Sequence, residues 1–217
     1  MLVLPLLLAL LSCASVEGAP AVSREAAVEA ADYPVGVDLP AGLYRLDPRH
    51  ASVTFRIRHM DLSWFVGRFN VKNAELTLDP ADPSRSRLSA SVATDSVDTG
   101  LAGDEARAFD RQIARALGAA DAPVIAFTST SIERTGRFTA RISGDLAMNG
   151  ETHPAVFEAT FNGGRVDPLR GGTMVVAFSA RAVVDRTHWS VSDWRAFTGD
   201  EVEILIEAEL VKSRQSD

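Results

Sequence analysis

The chain is nearly without cysteine. Its 217 residues contain one, Cys13, so no disulfide can form within the chain, and a domain downstream of it has no thiol chemistry of its own. A basic excess is missing too: 22 Lys and Arg stand against 29 Asp and Glu, a formal charge of -7. That balance excludes a nucleic-acid partner held by a general positive field. No apolar run reaches the roughly 20 residues that a helix needs to cross a bilayer. Histidine is scarce, with only His50, His59, His153 and His188. None has the paired helical spacing of a zinc protease and no cysteine accompanies them, so neither a metal site nor a cofactor is expected. The Gly-x-Ser-x-Gly elbow of many esterases is absent, and no catalytic set emerges. No internal repeat or low-complexity tract stands out.

What is present is alternation. Val53, Phe55 and Ile57 fall on one face of a strand, with Thr54, Arg56 and Arg58 on the other. The same period returns at Phe138, Ala140, Ile142, Gly144, Leu146, at Phe157, Ala159, Phe161, at Met174, Val176, Phe178, Ala180 and at Val202, Ile204, Ile206, Ala208, Leu210. A period of two marks strands, because successive side chains point to opposite faces. So many half-apolar strands require one shared interior, and about 200 residues suffice for one all-β domain. The fold class is therefore all-β, an extended antiparallel β-barrel with one helix at a barrel end.

The strands fall at about 42–47, 51–59, 64–78, 87–97, 123–132, 137–148, 151–162, 172–186 and 201–211. Turns are expected at Asp47-Pro48-Arg49, Asp79-Pro80, Thr135-Gly136, Asn149-Gly150 and Gly163-Gly164, each with residues that reversals favour. Asn149-Gly150 is the strongest hairpin signal. The apolar face changes phase between Phe69, Val71 and Ala74, Leu76, Leu78, which calls for a bulge near Lys72-Asn73. Residues 104–117 read as a helix. Ala106, Phe109, Ile113 and Leu117 share a face, with acids at its start and Arg111 and Arg115 near its end. It either caps a barrel mouth or packs in a long connection.

Residues 1–12 form the apolar core of a signal peptide, too short to span a membrane. Leu10-Leu11-Ser12-Cys13 is similar to a bacterial lipobox, which makes Cys13 the lipidated first residue of the mature protein. An ordinary secretory signal, cut near Ser15 or Gly18, is the alternative. Both readings export the protein, and the first anchors it in the periplasm, at the outer membrane. Residues 13–40, with Pro20, Pro34 and Pro40, form a tether that includes a short helix at 23–31. The barrel occupies 41–212 and a tail 213–217.

A barrel of about eight strands either fills its interior or encloses a small ligand, and the inward side chains decide. Small residues alternate with large ones here: Ala140 and Gly144 flank Ile142, Ala155 and Ala159 flank Phe157, and Ala180 and Ala182 follow Phe178. Facing inward, they leave an oily axial space; a solid core fitted to a twisted sheet is the competing reading. The candidate wall is Phe55, Ile57, Phe69, Val92, Phe127, Ile142, Phe157, Phe161, Phe178, Ile204 and Ile206. His59 shares the Phe55 and Ile57 face at its strand's end, where it either bonds a ligand head group or serves structurally. His50 fixes the turn after Asp47. Asp95 and Asp98, beside Arg56 or Arg186, read as separate surface salt bridges. Trp64, Trp189 and Trp194 lie near strand ends or in loops, at the entrance or in local packing.

The residues also carry a resemblance. The run Tyr44-Arg45-Leu46-Asp47-Pro48-Arg49-His50-Ala51-Ser52-Val53-Thr54-Phe55, then Arg58-His59-Met60 and Gly67-Arg68-Phe69, resembles the opening of the YceI-like, lipocalin-type polyisoprenoid-binding family. Leu76-Thr77-Leu78-Asp79-Pro80, Ser96-Val97-Asp98-Thr99-Gly100, Ile125-Ala126-Phe127-Thr128-Ser129-Thr130 and Gly144-Asp145-Leu146-Ala147-Met148-Asn149-Gly150 continue it, and Asp200-Glu201-Val202-Glu203-Ile204 matches its close. The resemblance covers about 42–212. It implies a lipocalin-type barrel of the bacterial envelope whose long apolar tunnel takes an isoprenoid, such as a quinone-type lipid, without catalysis. Two segments depart from the pattern: the helix, which lacks the family's histidine, and Asp185-Arg186-Thr187-His188-Trp189. Two other functions compete: an enzyme on such lipids using His59 or Asp95, and an envelope protein with a filled barrel. Exposed edges or the Trp-bearing loops offer a surface for a homodimer.

Overall fold

The computed structural model describes residues 38–213. Residues 1–37 and 214–217, with Cys13, the signal peptide, the 23–31 helix and nearly all of the tether and tail, lie outside the described residues. The strands are β1 (Gly42–His59), β2 (Ser63–Phe69), β3 (Lys72–Leu78), β4 (Arg87–Ala93), β5 (Val97–Asp98), β6 (Val124–Arg134), β7 (Thr139–Met148), β8 (Glu151–Asp167), β9 (Thr173–Asp185) and β10 (Thr198–Lys212). One α-helix, α1 (Asp104–Ala116), lies between β5 and β6.

All pairings are antiparallel, in the order β10-β9-β8-β7-β6-β4-β3-β1-β2-β5, and β10 also pairs with β1. That last pairing, from Tyr44 opposite Lys212 to His59 opposite Thr198, closes the barrel. β2 and β3 act as one strand against β1: β2 covers Thr54 to His59 and β3 covers Gly42 to Arg45. The phase change expected as a bulge near Lys72-Asn73 is instead the break between them at Asn70-Val71, because Lys72 and Asn73 pair regularly with Val92 and Ser91. β4 and β5 are likewise split by a 3-10 turn at Thr94–Ser96, whose Thr94 hydroxyl donates to the Ala122 carbonyl at 2.9 Å. The ring therefore has eight strands, which removes the exposed edges an open sheet would carry.

Two expected turns are corrected. Asp47-Pro48-Arg49 does not end a strand, because β1 runs through it. Leu46 pairs with Leu210 and Ala51 with Ala208, so residues 47–50 bulge opposite Glu209 alone. Gly163-Gly164 lies inside β8, which continues to Asp167 with a register shift between Phe161 and Gly163. The pattern stops at Phe161 because β7 ends there, while β8 and β9 run on as a hairpin. Asn149-Gly150 does turn, with φ of 51° and 76° at the two positions, as a type I′ hairpin requires.

α1 opens at Gly103 with Asp104 and Glu105 in its first turn and Arg115 in its last, each sign suited to the helix dipole. Ile113 and Ala114 pack with Phe69, Val92 and Val97. The β4–β6 ladder stops at Ala93 opposite Val124, and the helix contributes the wall beyond that point. Packing and capping are thus one role. The opposite end is filled by Tyr44, Leu76, Met174, Val176 and Leu210. Tyr44 and Val176 are fully buried, and the Tyr44 hydroxyl donates to the Pro40 carbonyl at 2.7 Å.

Candidate functional site

The inward positions form layers. Ala140 pairs with Ala159, Ala159 with Ala180, and Ala180 with Ile206, so three alanines cross three adjacent strands. Ala74 and Ala90 pair in β3 and β4. Rings of larger side chains lie to either side: Ile132, Ile142 and Phe157 in one direction, Phe161 and Phe178 in the other. Where these neighbouring strands offer only methyl groups, with Ile206 of β10 beside them, they leave the interior underfilled. A cavity of about 730 Å³ lies there, within the range of small-molecule sites.

Glycine keeps two aromatic rings off the axis. A Cβ on Gly67 would lie 2.4 Å from Phe55 Cζ, and one on Gly144 would lie 2.5 Å from Phe127 Cζ and 2.3 Å from the Thr128 carbonyl oxygen. Each ring therefore lies across a bare stretch of backbone. Gly144, expected as a spacer on the inner face, is the floor beneath Phe127. Phe127 then meets Phe157 edge-on with centroids 4.9 Å apart, and Phe55 meets Phe69 at 5.6 Å.

All of the sequence-predicted wall residues line this cavity: Phe55, Ile57, Phe69, Val92, Phe127, Ile142, Phe157, Phe161, Phe178, Ile204 and Ile206, with His59 at its end. Several, including Phe55, Ile142, Phe178, Ile204 and Ile206, are only partly buried although they sit mid-strand on the inner face. Their remaining exposure is to the cavity. Sequence reasoning missed Phe65, Phe197 and the alanines of β3 and β4 as wall residues; Trp194, expected at the entrance or in local packing, lines the cavity, as does α1, expected at a barrel mouth or in a connection, through Phe109, Ile113 and Leu117. The parity of Leu76 would have found Ala74. No local pattern marks the 194–197 loop, which reaches the cavity only because the barrel closes.

Polar groups gather at the ends. His59, Arg186 and Thr198 lie where β1 ends and β10 begins, and Arg134 and Arg137 lie at the opposite end. Arg186 is 4% exposed. Its guanidinium donates to the carbonyls of Gly199 and Asp193 at 3.0 and 2.6 Å and to the Thr198 hydroxyl at 3.0 Å, clamping the 193–199 loop. Burial lowers its pKa, and the nearby Asp200 opposes the shift. Trp189, expected at the entrance or in packing, is buried, with its indole N–H donating to the Leu146 carbonyl at 2.9 Å.

The remaining charges are structural. Glu203, buried on the outer face, is held by Arg56 and Arg181; the Arg56 bond leads in keeping its pKa low against burial. Asp98 pairs with Arg68, and bonds from Asn70 and then Arg68 draw its pKa down to about 2. Asp95 is exposed and outside the cavity wall. At the β1 bulge, burial works against the Asp47 charge. Bonds from Arg170, from His50 Nδ1 at 2.6 Å and from the Arg49 N–H at 3.1 Å outweigh it and hold the carboxyl well below its ordinary range. Asp47, His50 and Glu209 could converge on a cation. Arg170 already occupies their midst, bonded to Asp47 and 3.2 Å from His50 Nδ1. The cluster ties the end of the β8–β9 hairpin to the bulge.

A closed antiparallel barrel with an apolar interior cavity, one helix in its wall and polar groups at its ends defines a lipocalin-type barrel. The YceI-like domain model matches residues 44–210, and the chain belongs to the YceI-like family. It is 32% identical over 176 residues to Protein YceI of Salmonella newport (strain SL254), covering 80% of this chain and 89% of that one. It is 37% identical over 141 residues to a UPF0312 protein of Ectopseudomonas mendocina (strain ymp), covering 63% and 71%. Among solved structures, Burkholderia cenocepacia BcnA superposes with a TM-score of 0.64 at 20% identity, covering 77% of this chain and 99% of that one. A polyisoprenoid binding domain from Saccharophagus degradans, implicated in plant cell wall breakdown, superposes with a TM-score of 0.56 at 11% identity, covering 80% and 100%.

Proposed function

We propose that the barrel binds, and stores or carries, an isoprenoid-chain or similar amphipathic lipid of the bacterial envelope, without catalysis. The observation that carries this reading is the apolar cavity of about 730 Å³ between the alanine layer and the aromatic rings. An apolar chain buried there gains roughly 0.8 kcal/mol per methylene, or up to about 4 kcal/mol per five-carbon unit. Two or three buried units give about 8–12 kcal/mol gross, enough for useful binding after ordering losses and well below the roughly 20 kcal/mol ceiling on real affinities. His59, whose ring has no hydrogen-bond partner among the described residues and which lines the cavity's end, receives the head group. The fold shared with the polyisoprenoid-binding domain supports the same reading.

Export follows from residues 1–12, and Cys13 carries an acyl anchor that holds the protein at the outer membrane, facing the periplasm. Incorporation of labelled palmitate that disappears in Cys13→Ser supports the anchor, and unchanged incorporation refutes it. For the cavity, lipid-stripped protein is offered decylubiquinone in detergent micelles. Near-stoichiometric retention, with the lipid recovered unchanged, is the expected result. No retention contradicts the binding reading, and turnover that is lost in His59→Ala contradicts the non-catalytic one.

A further inference from the structure

At the His59 end, the barrel exposes large apolar side chains. The β1–β2 hairpin turns through Met60, Asp61 and Leu62, with Met60 56% and Leu62 81% exposed. Met60 and Asp61 hold φ of 50° and 55°, a left-handed conformation that turns usually give to Gly or Asn. The neighbouring loop exposes Trp194, also left-handed with φ of 57°, and Phe197. The Met60 N–H donates to the Phe197 carbonyl at 2.7 Å and fastens the two loops together. Trp194 and Phe197 also line the cavity, so the outer patch and the cavity wall are one continuous apolar surface.

Single exposed apolar residues need no explanation, but a contiguous group around an opening marks a contact site. Trp64 stands beside this group, with the guanidinium carbons of Arg56 and Arg58 at 4.6 and 5.2 Å from its ring centroid. Arg56 is engaged by Glu203. Arg58 donates to the Asp61 carbonyl and has no carboxylate partner among the described residues. An indole flanked by arginine, just behind a row of aliphatic and aromatic tips, matches the layering of a bilayer: hydrocarbon, then the interface where Trp collects, then phosphate.

We infer that this end of the barrel is a membrane-contact rim. Met60, Leu62, Trp194 and Phe197 enter the outer acyl region of a phospholipid bilayer, Trp64 lies at head-group depth, and Arg58 meets a lipid phosphate. The purpose of the rim rests on the lipid-binding reading above. A lipid passing through water would forfeit roughly fourfold in equilibrium for each methylene exposed, whereas a lipid entering across this rim stays in apolar contact. Asp61 and Asp193 share the rim, so its attachment depends on apolar insertion more than on net charge and persists at high salt.

The test uses the full chain with Trp194→Phe, which leaves Trp64 as the exposed reporter outside the cavity wall while Trp189 stays buried. Mixed with phosphatidylcholine vesicles whose acyl chains are brominated, Trp64 emission is quenched, at high salt as well as low. Met60→Ser/Leu62→Ser raises the vesicle concentration for half-maximal quenching at least tenfold. It leaves decylubiquinone uptake from micelles unchanged, because neither residue lines the cavity. Ala140→Leu/Ala180→Leu shows the reverse, losing uptake and keeping the quenching, so the rim and the cavity are judged separately. The rim is refuted if vesicle-bound protein leaves Trp64 unquenched, if the Met60/Leu62 substitutions do not change the quenching, or if high salt abolishes it. Burial of the rim in a concentration-dependent dimer that excludes vesicles refutes it as well.

Discussion

Replacing Ala180 by leucine asks directly whether the interior is open. Ala180 sits in register between Ala159 and Ile206 and lines the cavity, so leucine places three more carbons in the space its neighbours leave. At roughly 0.8 kcal/mol per carbon the added burial is worth about 2.4 kcal/mol. Ordering the longer side chain takes back roughly 0.5–1 kcal/mol. Lipid-free protein should therefore gain about 1–2 kcal/mol, read as a raised midpoint in urea at unchanged slope. In a filled interior the same carbons have nowhere to go, and overpacking costs about 1–3 kcal/mol. The two cases differ in sign. The assay is urea denaturation of delipidated protein, wild type against variant, with lipid uptake measured on the same samples. A stability loss above about 1 kcal/mol refutes the open cavity. A gain with undiminished uptake of decylubiquinone refutes its use as the binding site.

Gly144→Ala should behave oppositely although it adds one carbon, because its Cβ would meet the Thr128 carbonyl oxygen at 2.3 Å and Phe127 Cζ at 2.5 Å. A loss of about 2 kcal/mol in urea melts is expected, and a neutral result would mean that Phe127 does not rest on that backbone. Asp47 sets an acid limit. Its folded pKa is depressed, so its contribution is complete above the unfolded value near about 4 and fades as pH falls toward the folded one. Asp47→Asn should be less stable than wild type by about 2–3 kcal/mol at neutral pH, with the gap narrowing steadily below about pH 4. Denaturation midpoints that differ equally at neutral and acid pH would remove the carboxylate from that role.

The barrel was legible because its strands are half-buried. Val53, Phe55, Ile57 and Val202, Ile204, Ile206 announce their inner faces by parity alone, and their pairing across β1 and β10 follows once the ring closes. Parity also placed the candidate wall on the cavity, and of the expected small spacers Ala140, Ala159 and Ala180 line it, whereas Ala155 and Ala182 are buried in the core beside Trp189. The misses have physical causes. Asp47-Pro48-Arg49 carries turn chemistry, yet it bulges within one strand because β10 continues alongside and Arg170, far away in sequence, anchors Asp47. Gly163-Gly164 looked like a turn because the alternation lapses there, although the backbone ladder with β9 continues. The Arg186 clamp and the rim formed by Met60 with Phe197 depend on contacts between distant segments, and no local periodicity records those.

Lipid held in this barrel would be seen directly by native mass spectrometry. Protein released gently from its own membranes should fly with an added mass matching one isoprenoid-chain lipid, shed on collisional activation. The Ala140→Leu/Ala180→Leu variant should fly bare. Wild-type protein that carries no added mass, from membranes containing such lipids, would mean that the cavity does not hold them.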